Sequence, residues 1–561
     1  MAHVTTPSLR GDDTAERRKA RGAFFTPPAL CDYVVDWAVR SADDVVLEPS
    51  CGEAAFLLSA AERLAKLGTT AAGPAAGELH GVELHEDSAE DALGLLRSAG
   101  HDARVKVADF FTVTPQPVYD AVVGNPPYVR YQGFNGDNRT RARAAAMRAG
   151  VALTGLASSW AAFVVHSALF LKPGGRLGLV LPAELLTVNY AAEVRRFLME
   201  RFRVVRLVLF TERVFPGVLE EVVLLLADGF DEGPTDHCEL FQARNVDDLP
   251  QAVGRLWRPA APESKWTASL LSTEALAAVA RLTEHGQFGI LHDWGETTLG
   301  MVTGNNRYFT MSREAAERHG ISRSELLRIS PPGSRHLRTL TFSTPAWREL
   351  GAAGSATYLF RPPGEPSPQA QRYITSGEAV DVHHAYKCRV RNPWWRVPLV
   401  PPADLFLTYM NADTPRLSTN RARVHHLNSV HGVYLKPELT KTGMDLLPIG
   451  SLNSMTLLSA ETVGRAYGGG MLKIEPKEAD LLPVPAAELL ENARAELTAR
   501  KPQVARALSN GRVTDAAAIV DEVLLVDHLG LRPSEVSALR EAHAELNSRR
   551  VARGAGPRGA R

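Results

Sequence analysis

Cysteine is scarce in this chain. Only four occur among 561 residues, Cys31, Cys51, Cys238 and Cys388, and no two stand in a CxxC spacing. That scatter excludes a disulfide-stapled scaffold and a zinc knuckle, and it fits a reducing cytoplasm. Net charge is missing too, because 63 Lys plus Arg balance 63 Asp plus Glu. No global basic field marks a nucleic-acid binder, so any such site must come from local segregation of charge. No apolar run approaches the roughly 18 residues that cross a bilayer; the longest stretch is Val222 to Ala227. The N-terminal segment up to Gly22 is charged and lacks an apolar core, which predicts a disordered polar tail over 1–22 and not a secretory signal. There is no internal repeat and no sustained heptad. What remains is ordinary globular composition, 45% hydrophobic and 22% charged, too apolar for a mainly disordered chain. At roughly 150 residues per domain the length predicts two to four domains.

From residue 23 to 235, short apolar runs alternate with helical patterns, as in a doubly wound α/β domain. The expected strands are Val45–Leu47, Leu79–Val82, Val105–Val107, Ala121–Gly124, Arg176–Leu181, Val204–Phe210 and Val222–Ala227. The last two leave no room for a crossover helix and are expected to pair antiparallel at the sheet's edge. Residues 236–290 carry Pro250, Pro259 and Pro262 and read as a connector able to hold a few small strands. Residues 291–485 read as a second, mixed domain. Residues 486–561 read as amphipathic helices ending in a basic tail.

The most specific motif is Asn125-Pro126-Pro127-Tyr128, directly after an apolar strand. The plain reading is a stiff turn. The chemical reading is a clamp for a planar amino group, in which the Asn125 side-chain oxygen and the Pro126 carbonyl each accept from an exocyclic NH2 and aim its lone pair at an electrophilic methyl. The two prolines remove backbone freedom and competing N–H donors, and Tyr128 offers a face for a planar ring. A second block, Leu47-Glu48-Pro49-Ser50-Cys51-Gly52, is a strand followed by a small-residue turn that opens a helix, which is where doubly wound folds hold nucleotide-like cofactors. Gly81-Val82-Glu83 then ends a second strand with an acid suited to ribose hydroxyls. Ala108-Asp109-Phe110-Phe111 ends a third with an acid that can accept from an adenine amino group and a Phe that can pack on the ring. Singly each is commonplace; in order, ahead of Asn125, they converge on one crevice.

These blocks, with Phe24-Phe25-Thr26-Pro27-Pro28 ahead of them, resemble the gamma-class N6-adenine DNA methyltransferases of the TaqI-like type. The resemblance implies the fold class: a class I S-adenosylmethionine (SAM) methyltransferase sheet, doubly wound and seven-stranded with a reversed edge strand, plus a mixed α+β C-terminal target-recognition domain. It also implies SAM as cofactor and double-stranded DNA as partner. By the same likeness Thr26 and Glu48, with Pro49, Cys51 and Gly52 in the loop, hold the methionine end of the cofactor. Glu83 holds its ribose, Asp109 and Phe110 hold its adenine, and Asn125, Pro126, Pro127 and Tyr128 clamp the target base. Phe215, in Val214-Phe215-Pro216, resembles the second aromatic that meets a flipped adenine. One departure is Ala54, where the family usually carries a second glycine in the cofactor loop.

Farther along, Gly300-Met301-Val302-Thr303-Gly304-Asn305-Asn306, Tyr386-Lys387-Cys388-Arg389, Trp394-Trp395-Arg396, Leu452-Asn453-Ser454 and Tyr467-Gly468-Gly469-Gly470 resemble target-recognition blocks of adenine methyltransferases. Residues 381–430 hold seven Lys and Arg against three Asp, and Lys387, Arg389, Arg391 and Arg396 are the expected DNA contacts. Trp394 and Trp395 are expected in the core. The pairs His383-His384 and His425-His426 lack companion Cys or carboxylate spacing, so no metal is expected. No PD…(E/D)xK arrangement is present, so cleavage is expected from a separate endonuclease or defence subunit. The competing readings are a non-catalytic DNA-binding subunit of a defence complex, and a methyltransferase acting on RNA or on a protein glutamine. The composition leaves the oligomeric state open.

Overall fold

The computed structural model describes residues 26–68, 77–129, 133–134, 136–210, 212, 214–215 and 221–554. The expected tail over 1–22 and the pair Phe24-Phe25 lie outside these residues, as do the last seven positions. The chain divides into two compact units, Met1–Leu270 and Leu271–Arg561.

The first unit is built on one sheet. Its strands are β1 (Val45–Glu48), β2 (Glu78–Glu83), β3 (Arg104–Val107), β4 (Tyr119–Gly124), β5 (Leu171–Pro182), β6 (Phe202–Phe210), β7 (Val222–Phe230), β8 (Cys238–Ala243) and β9 (Gly254–Trp257). Their order is β3-β2-β1-β4-β5-β7-β6-β8-β9. Every strand expected from the sequence is present, most extended by one to several residues. Two expectations are corrected. The sheet has nine strands, because the segment read as a connector supplies β8 parallel to β6 and β9 antiparallel to β8. The reversed strand is interior, because β7 inserts antiparallel between β5 and β6. Its run Val222–Ala227 is buried at every position, as a strand covered on both faces must be.

Strand order runs one way from β1 to β3 and the other way from β4 onward. The switch point therefore falls between β1 and β4, which pair in parallel with Val46 opposite Ala121 and Leu47 opposite Val122. Crevices at such points are where open α/β sheets bind ligands. The helices Pro28–Ala38 and Ala55–Gly68 cover this part of the sheet, burying Leu30, Val34 and Val35 from one and Phe56, Leu57 and Ala60 from the other. The helix Ser159–Ala168 is apolar on all sides and buried at every residue, the behaviour of a core helix.

The second unit is mixed α+β. Its largest sheet has five strands in the order Gly295–Leu299, Val430–Leu435, Leu405–Thr408, Leu417–Asn420, Thr341–Phe342. One core gathers Phe309, Leu359, Phe360, Ile374 and Trp395, and another Phe342, Phe406 and Val424. The last helix, Pro533–Gly554, lies against Ser454–Val463 and is locked there by Arg550, whose guanidinium meets Glu461 at 2.8 Å with both side chains nearly inaccessible to water. No helix among the described residues is long and apolar enough to cross a membrane.

Candidate active site

The crevice is assembled from the carboxyl ends of β1, β2 and β4 and the segments that follow β3 and β4. Glu48 ends β1 and is 3% exposed. Its Oε2 accepts the Leu57 backbone amide at 3.1 Å, at the opening turn of the helix Ala55–Gly68, where the partial positive charge of free amides favours an anion. Burial still dominates: it holds the Glu48 carboxyl well above the usual carboxylate range, opposed by the Leu57 bond and reinforced by Glu83. Such a group ionises readily once a cation is placed beside it.

The turn between β1 and the helix is tight. The Cys51 amide donates to the Val82 carbonyl at 3.0 Å, and the Ala54 amide to the Cys51 carbonyl at 2.6 Å. Gly52 has φ +46° and Ala54 φ +61°. Ala54 thus sits in the left-handed region that glycine usually fills, which is the structural meaning of the departure noted in the sequence. Pro49 and Cys51 are buried, and burial together with Glu48 and Glu83 pushes the Cys51 thiol far up, so it is no thiolate nucleophile. Gly81 of β2 is required by contact, since a Cβ there would lie 3.0 Å from Cys51 Sγ and 3.1 Å from Leu57 Cδ1.

Glu83 ends β2. Its Oε2 accepts Gly52 N at 2.9 Å, and its Oε1 accepts Leu84 N at 2.9 Å and His85 N at 3.1 Å. An ionised carboxylate has about four acceptor sites, so one remains for a ribose hydroxyl. Asp109 caps the single turn Phe110–Thr112, taking Phe111 N at 3.0 Å on Oδ1 and the Arg141 guanidinium at 2.8 Å on Oδ2. Phe110 differs from expectation. The turn directs it inward, and it stacks on Phe163 at 5.5 Å and Phe170 at 5.1 Å with the edge of His166 at 4.8 Å. At 3% exposure its ring is taken up by the core and is no open platform for a cofactor ring. Burial of His166 in the same cluster lowers its pKa to about 4, so it is neutral at pH 7.

At the end of β4, Asn125 is held from two sides. Its Nδ2 donates to Thr26 Oγ1 at 3.0 Å. The Tyr128 hydroxyl lies 2.6 Å from Asn125 Oδ1 and 3.0 Å from the Val180 carbonyl of β5, sharing its one proton between them. The amide is thereby fixed with its oxygen on the Tyr128 side. Ser159, at the head of the core helix, fastens the rest of the loop: its hydroxyl donates to the Pro127 carbonyl and accepts Val129 N at 2.9 Å, while its own amide donates to the Val129 carbonyl at 3.0 Å. The sequence reading passed over Ser159 and Arg141. The first was legible only as a helix-start serine and the second only as one arginine among several, because both act through contacts more than 30 residues distant.

Phe215, expected against a flipped base, is instead 4% exposed, in the apolar cluster that includes Phe210, Val214 and Val222 and against which Tyr128 packs. Burying a phenyl ring stabilises by roughly 1.5–3 kcal/mol, which makes the core its resting position.

In the second unit Lys387 and Arg389 are exposed, as expected of phosphate contacts. Arg391 and Arg396 are not available in the same way, and the expectation for them is corrected. Arg391 donates to the Val302 carbonyl and, at 2.8 Å, to the Thr303 carbonyl. Arg396 donates to the Gly364 carbonyl at 3.2 Å and lies over the Trp395 ring at 5.1 Å. Both tie loops of their own unit together. Trp395 is buried and Trp394 packs on the same core, as expected. His383-His384 does have a carboxylate companion, which the sequence reading missed: the ligand atoms of Asp381, His383 and His384 lie within 4.8 Å of one another. Asp381 and His384 are 76% and 66% exposed and contact each other at 3.3 Å, an arrangement that surfaces carry without a metal.

The strand order 3-2-1-4-5-7-6, with acids at or just past the ends of β1, β2 and β3 beside its switch point, is that of the class I methyltransferase fold. Residues 11–247 match the N-6 DNA methylase family, and residues 263–525 match the C-terminal domain of type II methyltransferase M.Eco57I. By these matches the chain is similar to N6-adenine DNA methyltransferases. Curated relatives include type II methyltransferase M.AccI of Acinetobacter calcoaceticus, 21% identical over 85% of this chain and 88% of that one. M.XamI of Xanthomonas campestris pv. amaranthicola is 26% identical over the same shares. Among solved structures, the type IIL restriction-modification enzyme MmeI in complex with DNA shares the fold, with TM-score 0.56 and 11% identity over 96% of this chain and 80% of that one.

Proposed function

We propose that this protein transfers the methyl group of SAM to the N6 amino group of an adenine in duplex DNA, at one recognition sequence, as the modification partner of a restriction endonuclease. The observation that carries the reading is the fixed amide of Asn125, held by Thr26 and Tyr128 beside the acids of β1 to β3. The donor set fits the cofactor. Glu48 is a buried acid in want of a cation and suits the methionine ammonium, Glu83 keeps an acceptor for the ribose, and Asp109, with one bond on each oxygen, keeps acceptors for the adenine amino group. When bound there, SAM supplies an electrophilic methyl.

The remaining chemistry belongs to the chain. A target adenine must leave the stack, at a cost of a few kcal/mol, and the face of Tyr128 offsets part of it. Asn125 Oδ1 and the Pro126 carbonyl accept the two N6 hydrogens and turn the nitrogen lone pair out of conjugation. As nitrogen gains the methyl it becomes positive, and both carbonyl dipoles already face that charge. The extra proton then leaves to water. Alignment of two bound reactants supplies most of the acceleration, so neither a metal nor a covalent nucleophile is required.

The direct test is incubation of the purified protein with isotopically labelled SAM and, separately, duplex DNA, RNA and a glutamine-bearing protein. Label is expected in DNA alone, recovered as N6-methyladenine; label confined to RNA or protein would overturn the reading.

A further inference from the structure

The second unit contains a cavity of about 400 Å3 lined chiefly by Asn306, Ser334, Tyr409, Met410, Asn428 and Ser429. These residues come from four separate turns: the start of the short helix Asn306–Phe309, the turn at 333–334, the end of the strand Leu405–Thr408, and the turn before Val430–Leu435. Loops converging on a rigid sheet are where binding residues concentrate. The lining is uncharged, with Met410 and the Tyr409 ring standing among amides and hydroxyls, and much of the hydrogen-bonding capacity of those polar groups is unspent. The Asn428 amide and the Ser334 hydroxyl have no hydrogen-bond partner among the described residues. Asn306 uses only its oxygen, toward the Thr303 hydroxyl at 2.6 Å, and keeps its NH2. Ser429 accepts Gly333 N at 3.0 Å and can still donate. Tyr409 is fixed by Glu475 at 3.1 Å and forms a rigid wall.

A second observation concerns charge. Arg307 and Arg335 each directly follow a lining residue, are exposed, and make no ion pair among the described residues. By contrast Arg338, Arg416 and Arg421 are each paired with an Asp. Uncharged amides and hydroxyls flanked by unspent arginines suit a ligand with polar edges between phosphates. An asparagine amide pairs donor and acceptor with a base edge, that of adenine best, while arginine outside the cavity holds backbone.

We propose that this cavity reads a base pair of the target site, with Asn428, Ser334 and Asn306 on the base edge and Arg307 and Arg335 on the flanking phosphates. The proposal rests on the reading of the substrate as duplex DNA. Its test starts from the motif methylated by the wild type. Rates are then measured on that duplex and on duplexes changed at one base pair, for Asn428→Ala, Ser334→Ala and the double variant Arg307→Ala/Arg335→Ala. Neither the Asn428 nor the Ser334 side chain holds another residue, and an unchanged thermal unfolding profile checks their folding. Asn428→Ala is expected to lower the rate on the full motif roughly 10- to 100-fold and to abolish discrimination at one position. The arginine variant is expected to weaken all duplexes alike and to flatten the salt dependence of binding. Discrimination unchanged at every position in both Asn428→Ala and Ser334→Ala, whether the rates hold or fall equally on all duplexes, overturns the assignment. Absence of methylation by the wild type on any duplex would instead remove the DNA reading, and the cavity's role with it.

Discussion

Single side chains carry the chemistry, and their environments set the predictions. In the proposed reaction Asn125 supplies the acceptor that turns the target nitrogen, so Asn125→Ala should reduce transfer to background while leaving SAM affinity within a few-fold of wild type, measured by calorimetry. Glu48 makes a pH prediction. Burial raises its pKa in the folded, unliganded chain, so the folded state binds more protons than the unfolded one above about pH 4.3. Unliganded stability therefore falls as pH rises from that value through the raised folded pKa. A bound ammonium favours the carboxylate, so SAM binding should release a proton and tighten with pH over the same window. Calorimetry in two buffers of different ionisation enthalpy reads that proton directly, and its absence would separate Glu48 from the cofactor. Ala54 makes a stability prediction. The left-handed region costs a residue with a Cβ about 1–2 kcal/mol, while its buried methyl returns about 0.8 kcal/mol and a glycine would add about 0.5–1 kcal/mol of chain entropy. These terms nearly cancel. Ala54→Gly should shift stability by less than about 1 kcal/mol in denaturant titration, whereas the β-branched Ala54→Val should lose more than about 2 kcal/mol.

At the scale of elements, charges that look alike in sequence divide by what holds them. Lys387 and Arg389 project from one helical turn, while Arg391 is spent on the carbonyls of Val302 and Thr303. Lys387→Ala/Arg389→Ala should leave thermal stability unchanged and reduce the salt slope of DNA binding, whereas Arg391→Ala should destabilise the unit by about 1–3 kcal/mol. Equal stability loss in both would erase the distinction. The strands, the switch point and the turn that carries Asn125 were legible because they depend on local pattern: apolar runs of fitting length, small-residue turns, and Asn-Pro-Pro after a strand. The insertion of β7, the added β8 and β9, the inward turn of Phe110 and the burial of Phe215 were not legible. Each is decided by neighbours remote in sequence, as when β8 pairs with β6 more than 30 residues away.

At the scale of the whole molecule, the first unit carries the residues proposed for methyl transfer and the second carries exposed cations and an uncharged cavity, which is the division of labour expected of an enzyme that must both react with and select a site. The proposed reaction leaves a specific adenine mark made through Asn125. The measurement that meets it most directly is long-read modification sequencing of DNA from a host expressing the wild type beside one expressing Asn125→Ala. N6-methyladenine is expected confined to one motif in the first and absent from the second. An N6-methyladenine pattern equally strong in the variant, or no new mark in either although both bind SAM, would contradict it.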